Sequence, residues 1–593
     1  MLFSDLANDL SETPASYIKA AARIGNGEVE GLRPARVAFL ATYTAQLLAP
    51  YLEVEGAARG LALKPWFAPY GQLEQVALDG KSALYGHRPE VVVLLMRLED
   101  AAKPLAERFL TQTEAGIAGA IESLRSRLES LIAAVRSHSE AAVFIANFPA
   151  PARKSAGLAD AGLELSQAEA VCRANAMLGG ISRRWANVSI FDFAQIVAAH
   201  GWTQWLDPRL LYRGRIPFGV AGQIATARGL ARMIRALFFP PLKCLALDLD
   251  NTLWGGILGE DGPEGVALGE DFPGNVYKAF QRYLLELKDR GILLAIASKN
   301  NEQETREFIA THPDMVLRLE DFAASRINWR EKSAGLLEIA AELNIGPDAL
   351  AFFDDNPSER AEVLARLPEV TVLDVPADPI GYIDAIEESG LFDRLALSEE
   401  DRKRSAFYAQ QQERRAAVGR FETKEDFLRS LEMTATIGPV GALTLQRVAQ
   451  LVAKTNQFNL TTRRHSATEI EKLAQTGVCL WLRLADRFGD NGLTGVAMAV
   501  PESGAAWRID TFLLSCRILS RGAESVLLAQ LLERLRERGA TEVIGEYLPT
   551  ARNGVCADFY SGHGFAPAGE NRWRLDLAAV SVENPPFITL RLT

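Results

Sequence analysis

The sequence contains little cysteine and histidine, and neither residue type forms a metal-binding pattern. Its five cysteines are scattered without a CxxC pair, and its six histidines form neither an HxH nor an HExxH motif. These absences argue against a disulfide framework and against a zinc site built from cysteine and histidine. A single cysteine remains available as a nucleophile.

Long apolar runs and an excess of positive charge are also missing. No stretch approaches the roughly 18 apolar residues of a membrane span, and the first residues do not resemble a secretory signal. The 75 acidic residues outnumber the 64 basic ones, and the net charge is −11. This balance argues against binding nucleic acid or an anionic membrane through bulk charge. We therefore expect a cytoplasmic protein with neither kind of partner.

The composition predicts a folded protein of several domains, since 48% of the 593 residues are hydrophobic. Short apolar runs alternate with helical stretches in residues 1–238, as in a parallel sheet flanked by helices. The predicted strands are Val37–Leu40, Val91–Met96, Ala142–Ala146 and Val188–Phe191. A second unit with the same pattern covers residues 239–396, after the Pro240–Pro241 pair. A charged linker helix then opens residues 397–593, whose strands suggest an α+β domain. We predict three domains, two α/β and one α+β.

The clearest chemistry lies in the second domain, whose first strand ends in two carboxylates, Asp248 and Asp250. Crowded carboxylates require a cation, and oxygen ligands suit Mg²⁺, which also binds phosphate. Matching partners follow later strands or open helices: Ser298, Lys332 and the pair Asp354 and Asp355. A metal and a lysine would neutralise the repulsion between an aspartate and a phosphate dianion. The alternative is that these residues cap turns and helices, which leaves Lys332 unexplained.

This order of residues resembles the haloacid dehalogenase (HAD) superfamily of phosphatases. The resemblance implies that Asp248 forms an aspartyl-phosphate, that Asp250 is the general acid and base, and that Lys332 stabilises charge. The implied substrate contacts are Thr252, Ser298, Lys299 and Asn300. The implied metal ligands are Asp248, Asp250, Asp354 and Asp355, with one member of the last pair open to a helix-capping role.

The second domain has no room for a cap domain, because helices and strands fill the intervals between Asp248, Ser298 and Lys332. Exclusion of water from the site then depends on a short glycine-rich flap, residues 254–269, or on a partner. An uncapped site favours a bulky or protein-borne substrate over a small metabolite.

The segment DLDNTLWGGILGEDGPEGVALG and the motif FFDDNPSER resemble the FkbH-like branch (subfamily IIIC) of the HAD superfamily. The segments KTNQFNLTTRR, FGDNGLTGV and SCRILSRGAE in the third domain resemble the same branch. The resemblance implies Mg²⁺-dependent transfer of a glyceryl or similar short acyl group from 1,3-bisphosphoglycerate, with dephosphorylation. The implied acceptor is the phosphopantetheine arm of a separate acyl carrier protein in polyketide-type biosynthesis.

In this reaction a cysteine thiolate would carry the acyl group. Cys516 is the first candidate, because Arg517 and a nearby helix start both lower a thiol pKa, with a small buried residue at a strand end as the alternative. Arg517 is itself a candidate for substrate binding. Cys172 and Cys244 are predicted to be core residues. Cys556 follows the family-like ARNG motif, but the sequence does not decide which way it faces.

The third domain resembles the GNAT acyltransferase fold, yet Leu519 and Glu524 depart from the acetyltransferase loop pattern. Glu524 would repel a pyrophosphate, so a phosphopantetheine arm is favoured over coenzyme A. Asn456 and Arg463 are candidates for the acyl or phosphate pocket, with a solvated basic face as the alternative. His563 is a further candidate, with a turn histidine as the alternative.

The first domain is similar to SGNH hydrolases, with Gly71 and Asn147 at positions like those of their oxyanion hole. It lacks the nucleophilic serine and the DxxH motif, so we expect a structural or docking module. Two other functions remain open for the whole chain. One is a plain Mg²⁺-dependent phosphatase acting on a sugar phosphate or phosphoprotein, and the other is a non-catalytic scaffold.

Overall fold

The structure is a computed structural model that describes residue 6 and residues 10–397, 423–515, 518–519, 521–550 and 553–593. Its strands form three separate sheets, two of them parallel and one mixed. The predicted α/β class with a final α+β domain is confirmed. The predicted linker helix, residues 398–417, lies outside the described residues.

The first sheet is entirely parallel, with the strand order β2-β1-β3-β4-β5. Its strands are β1 (Arg33–Ala41), β2 (Leu61–Phe67), β3 (Val91–Leu95), β4 (Ala142–Ala146) and β5 (Val188–Phe191). Every residue of β3 and β4 is buried, as expected of central strands covered by helices on both faces. The longer helices are Pro14–Gly25, Ala49–Ala57, Glu114–His138, Gln167–Arg184, Phe193–His200, Pro208–Gly214 and Val220–Phe238.

Residues 1–242 form one compact unit with residues 380–397. The returning segment contains the helix Tyr382–Ser389. Arg232 Nε donates a hydrogen bond to Asp393 Oδ2 at 2.9 Å within this unit. The chain therefore returns to the first domain at residue 380, before residue 396, where we predict the second domain to end. The predicted domain limits stay predictions.

The second sheet is also parallel, with the order β10-β9-β6-β7-β8. Its strands are β6 (Cys244–Leu247), β7 (Leu293–Ser298), β8 (Phe322–Ile327), β9 (Leu350–Phe353) and β10 (Thr371–Val372). The helices are Leu258–Asp261, Gly274–Asp289, Glu302–Thr311, Lys332–Leu343 and Pro357–Arg366. Within the described residues 243–379, the intervals between strands hold only these helices, short 3-10 turns and loops, so no segment forms a cap.

The third sheet has nine strands in the order β17-β18-β16-β15-β14-β13-β11-β19, with β12 paired to β15 beside this path. The strands are β11 (Met433–Pro439), β12 (Phe458–Asn459), β13 (Val478–Asp486), β14 (Gly489–Ser503), β15 (Ala506–Leu514), β16 (Glu542–Glu546), β17 (Ala566–Gly569), β18 (Arg572–Asp576) and β19 (Ile588–Leu592). The longer helices are Lys424–Ser430, Ala442–Lys454, Ala467–Thr476 and Ala523–Glu537.

Two pairings in this sheet, β11 with β19 and β15 with β16, are parallel, and the others are antiparallel. In the part of the chain that the structure describes, no helix has both the length and the hydropathy that are needed to cross a lipid bilayer.

Candidate active site

The predicted site residues of the second domain meet at the carboxyl edge of its sheet. Asp248 directly follows β6, and Asp354 and Asp355 follow the adjacent strand β9. Ser298 ends β7, and Lys332 begins the helix after β8. Ligand sites of open parallel sheets form where neighbouring strands end, so this edge is the expected location.

A buried lysine lies between two of these carboxylates. Lys332 Nζ is 2.9 Å from Asp248 Oδ2 and 2.5 Å from Asp354 Oδ2. Burial alone would lower the pKa of Lys332, but the charges of Asp248 and Asp354 hold it above its usual value. The ammonium group therefore stays positive beside the predicted nucleophile.

Asp248, Asp354 and Asp355 together offer oxygen ligands for a metal ion. One carboxylate oxygen from each lies within 4.8 Å of the others. Asp248 Oδ1 is buried without a hydrogen-bond partner. Burial, followed by the negative charge of Asp248, raises the pKa of Asp354 to about 7 and that of Asp355 to about 6. These three carboxylates outnumber the two nearby cations, Lys332 and Arg360, and leave negative charge that a hard cation would neutralise.

The Asp250 carboxylate is not part of this group, although it was predicted to be a metal ligand. Its Oδ1 accepts hydrogen bonds from Trp254 Nε1 at 2.9 Å and from the Leu258 amide at 3.0 Å. Its Oδ2 accepts from Asn300 Nδ2 at 2.8 Å. Trp254 and Leu258 tie the side chain to the flap, and Asn300 ties it to the loop after β7. The carboxylate is thus not among the three that lie within 4.8 Å of one another. A metal-ligand role for the Asp250 side chain therefore finds no support in these contacts.

Three of the four predicted substrate contacts line the same edge. Ser298 and Asn300 are buried, and Asn300 Nδ2 donates to Ser298 Oγ at 3.3 Å. Thr252 Oγ1 is buried without a hydrogen-bond partner. Lys299 instead pairs with Glu359 at 2.7 Å on the helix Pro357–Arg366, so its charge is already partnered. The orphaned polar atoms of Asp248 and Thr252 mark a place for a ligand.

The candidates in the third domain are engaged in internal contacts. Arg463 pairs with Asp510 at 3.2 Å and with Glu546 at 2.7 Å. His563 contacts Ser525 Oγ through Nε2 at 2.9 Å and the Phe559 carbonyl through Nδ1 at 2.7 Å. These contacts fit a structural role for Arg463 and the turn role weighed for His563.

Asn456 Oδ1 accepts a hydrogen bond from Arg464. The two remaining candidates, Cys516 and Arg517, lie outside the described residues. Their roles stay predictions.

The cysteines that the structure describes differ from expectation at one position. Cys172 is exposed on the helix Gln167–Arg184, so its prediction as a core residue is wrong. That helix packs one face on the core, and Cys172 follows the buried Val171 on the other face. Cys244, Cys479 and Cys556 are buried, and burial raises the pKa of each thiol, to about 12 for Cys479 and about 11 for Cys556. Buried neutral thiols are poor nucleophiles.

A feature that the sequence did not predict lies between β15 and β16. These strands are paired from Ala506 to Arg508, after which β15 continues beside β12 instead. The Leu460 amide donates to the Phe512 carbonyl at 3.1 Å, and the Leu548 amide donates to the Leu460 carbonyl at 2.8 Å. The segment KTNQFNLTTRR therefore pairs with the backbone of β15 on one side and with Leu548, just beyond the end of β16, on the other.

The strand ends of the first domain carry the residues similar to an SGNH site. Asn147 Nδ2 donates to Asp192 Oδ1 at 2.7 Å, and Asn147 Oδ1 accepts from the Ala194 amide at 2.7 Å. Gly71 has a positive φ of 73° in the loop after β2. The non-hydrolytic role expected for this domain stays a prediction.

Comparisons with known proteins extend this description. Residues 36–227 match the family model described as FkbH, N-terminal domain. The N-terminal part of a Bacteroides fragilis protein, described as containing a phosphatase domain complexed with Mg, is 28% identical and has a TM-score of 0.54. The match covers 67% of this chain and 100% of that chain.

A putative GNAT acetyltransferase from Desulfovibrio desulfuricans is 14% identical, with a TM-score of 0.21, over 24% of this chain and 99% of that chain. No curated protein matches the chain. The geometry and the first two matches support an enzyme of the HAD phosphatase type. Within that class, the predicted resemblance to FkbH-like proteins is confirmed.

Proposed function

We propose that the protein transfers a glyceryl or similar short acyl group from 1,3-bisphosphoglycerate to an acyl carrier protein and removes phosphate through Asp248. The observation that carries the phosphatase half is the buried cluster of Asp248, Lys332 and Asp354 with an orphaned oxygen on Asp248. The relative with a phosphatase domain supports it. The transferase half rests on the FkbH-like segments and on the family match of residues 36–227.

In the phosphatase half, the Asp248 carboxylate attacks phosphorus and the bond from phosphorus to the ester oxygen breaks. Asp250 gives its proton to the departing oxygen. Water then attacks the aspartyl-phosphate, phosphate leaves, and Asp250 takes the proton of that water. Lys332 holds its positive charge beside Asp248 throughout, which limits the repulsion between carboxylate and phosphate.

Asp248, Asp354 and Asp355 fit Mg²⁺, because all three supply oxygen atoms around an uncompensated negative charge. The bound ion would neutralise phosphate oxygens during the transfer. Mg²⁺ in the structure of the Bacteroides fragilis relative supports this assignment.

In the transferase half, a cysteine thiolate attacks the acyl carbon of the substrate, the bond to the acyl-phosphate oxygen breaks, and phosphate leaves. The resulting thioester passes the acyl group to the phosphopantetheine thiol of the carrier. The acyl phosphate is already activated, so no ATP is required. We assign the thiolate to Cys516, because Arg517 and the helix start that follows it in the sequence favour a thiolate there. The thiols of Cys244, Cys479 and Cys556 are buried with raised pKa values, and Cys172 lies within the helix Gln167–Arg184 instead of beside a helix start.

A carrier-loading assay tests this function. The protein is incubated with 1,3-bisphosphoglycerate, Mg²⁺ and a phosphopantetheine-bearing carrier, and intact masses and released phosphate are measured. We expect a glyceryl adduct on the carrier. Asp248→Asn should retain the terminal phosphate on that adduct, and Cys516→Ser should abolish the adduct. Cys172→Ser is the matched control, since this exposed thiol should be dispensable.

Each alternative function has its own outcome in the same assay. Phosphate release from phosphomonoesters without any adduct would establish a plain phosphatase. Phosphate release that persists in Asp248→Asn would leave the second domain as a scaffold without this catalytic site.

A further inference from the structure

The loop between β8 and the helix Lys332–Leu343 carries an exposed aromatic side chain. Trp329 is 74% exposed. Within the described part of the chain, no hydrogen bond, ion pair or ring contact involves its indole. Single exposed apolar side chains are common on protein surfaces, so a functional role for Trp329 has to be argued from its position.

The loop holds Trp329 in place while its neighbours turn back to the domain. The Asn328 amide donates to the Ser298 carbonyl at 3.1 Å, and the Arg330 amide donates to Asn328 Oδ1 at 3.0 Å. Arg330 then pairs with Glu338 at 2.6 Å, and Glu331 pairs with Arg366. Trp329 is thus presented to solvent on a backbone fixed at both sides, which lowers the entropy lost when a ligand binds.

Trp329 is also close along the chain to residues of the phosphatase site. Its Cα is three residues from that of Lys332, a span of at most about 11 Å. Asn328 contacts Ser298, and Ser298 contacts Asn300, which binds Asp250. The backbone of the loop that carries Trp329 therefore lies at the edge of the phosphate site, which we call the rim, and no segment of the described residues 243–379 forms a cap over it.

We propose that Trp329 is a specificity residue that contacts the arm joining a phosphorylated acyl group to its carrier protein. This inference rests on the proposed function. A free three-carbon phosphate occupies the pocket of Asp248 and Ser298 and ends short of the rim. A substrate attached to a phosphopantetheine arm extends past the rim, where methylene and amide groups pack on the indole face.

The test compares two substrates in three variants of the full-length protein. The substrates are a carrier loaded with phosphoglyceryl thioester and the small probe p-nitrophenyl phosphate. Trp329→Ala should raise KM for the loaded carrier about tenfold with kcat unchanged, and both constants for the probe should stay within about twofold. Trp329→Phe should recover most of the affinity. Leu364→Ala is the control, since Leu364 is also exposed, at 60%, but near the distal end of the helix Pro357–Arg366.

Equal losses on both substrates would show that Trp329 only supports the fold of the site, and no loss on either would show that the rim is not contacted. Either result overturns the inference while wild-type turnover of the loaded carrier upholds the proposed function. If the wild-type enzyme does not dephosphorylate the loaded carrier, the proposed function fails, and the inference fails with it.

Discussion

The second and third domains each contain a cluster of charged side chains, but their charges are balanced differently. In the second domain the three carboxylates of Asp248, Asp354 and Asp355 outnumber the two nearby cations, Lys332 and Arg360. In the third domain three carboxylates pair with three guanidinium groups: Asp510, Glu546 and Glu502 with Arg463, Arg508 and Arg572.

The carboxyl pKa values follow this difference. Burial and the charge of Asp248 raise the pKa of Asp354 to about 7. Burial also acts on Asp510 and Glu546, but His465 and Arg463 hold the pKa of Asp510 below its usual range, and Arg572 and Arg463 do the same for Glu546. A cluster with excess negative charge can still bind a cation and, through it, a phosphate. In a cluster whose charges are balanced, each charged group already has its partner within the protein.

The sharpest test of this contrast is the loss of the nucleophile. Asp248→Asn keeps the shape of the side chain but removes the attacking carboxylate, so phosphate release should fall at least about a thousandfold. Circular dichroism should stay unchanged. Release within tenfold of wild type would show that the unbalanced cluster is not the catalytic centre.

Removing the metal tests whether the cluster of Asp248, Asp354 and Asp355 binds a cation. A chelator should abolish phosphate release, and 1 mM Mg²⁺ should restore it. Because a ligand that binds only the folded state stabilises it, Mg²⁺ should also raise the Tm. In Asp354→Asn the Mg²⁺-dependent rise in Tm should disappear, while Glu546→Gln, a matched change in the balanced cluster, should retain it.

The balanced cluster should matter for stability and not for metal binding. Glu546→Gln leaves Arg463 and Arg572 without their shared carboxylate, so unfolding of the third domain should become easier at pH 7, by about 1 kcal/mol because both guanidinium groups are partly exposed. Denaturant unfolding measures this loss. Phosphate release from p-nitrophenyl phosphate should stay within about twofold of wild type, and a large loss would contradict the separation of the two clusters.

The same variant has an expected pH dependence. Since the folded pKa values of Asp510 and Glu546 lie below their unfolded values, their stabilisation is present above about pH 4.5 and is lost as pH falls through the folded values. The stability gap between wild type and Glu546→Gln should therefore stay constant from pH 7 down to about pH 5 and narrow as the pH falls below about 4.5. A gap that widens on acidification would reverse the assigned sign.

The smallest effect is expected at Lys299, whose charge is already paired with Glu359. Lys299→Ala should change KM for p-nitrophenyl phosphate by less than about threefold and stability by less than about 1 kcal/mol, as for other partly exposed ion pairs. A tenfold rise in KM would return Lys299 to the substrate contacts that the sequence predicted.

The strands that the sequence revealed are mainly central ones. Runs such as Val91–Leu95 and Leu350–Phe353 are continuously apolar because helices cover both faces of the sheet. The strand Leu61–Phe67 escaped prediction because Lys64 and Pro65 interrupt its pattern, which an edge strand tolerates. The strand β12 has only two residues, which is too short for a periodic pattern in the sequence. It pairs with β15 only where β15 no longer pairs with β16.

The sequence by itself determined which residues of the second domain meet. Asp248, Ser298 and Asp354 each end or follow a buried parallel strand, and strand ends of one sheet converge on one edge. Only the tertiary structure decided which partners each of these side chains contacts. It placed an oxygen of Asp355 within 4.8 Å of those of Asp248 and Asp354, and it turned Asp250 to the flap and Lys299 to Glu359. It also exposed Cys172 and Trp329. Side-chain partners come from distant parts of the chain, and local sequence does not record them.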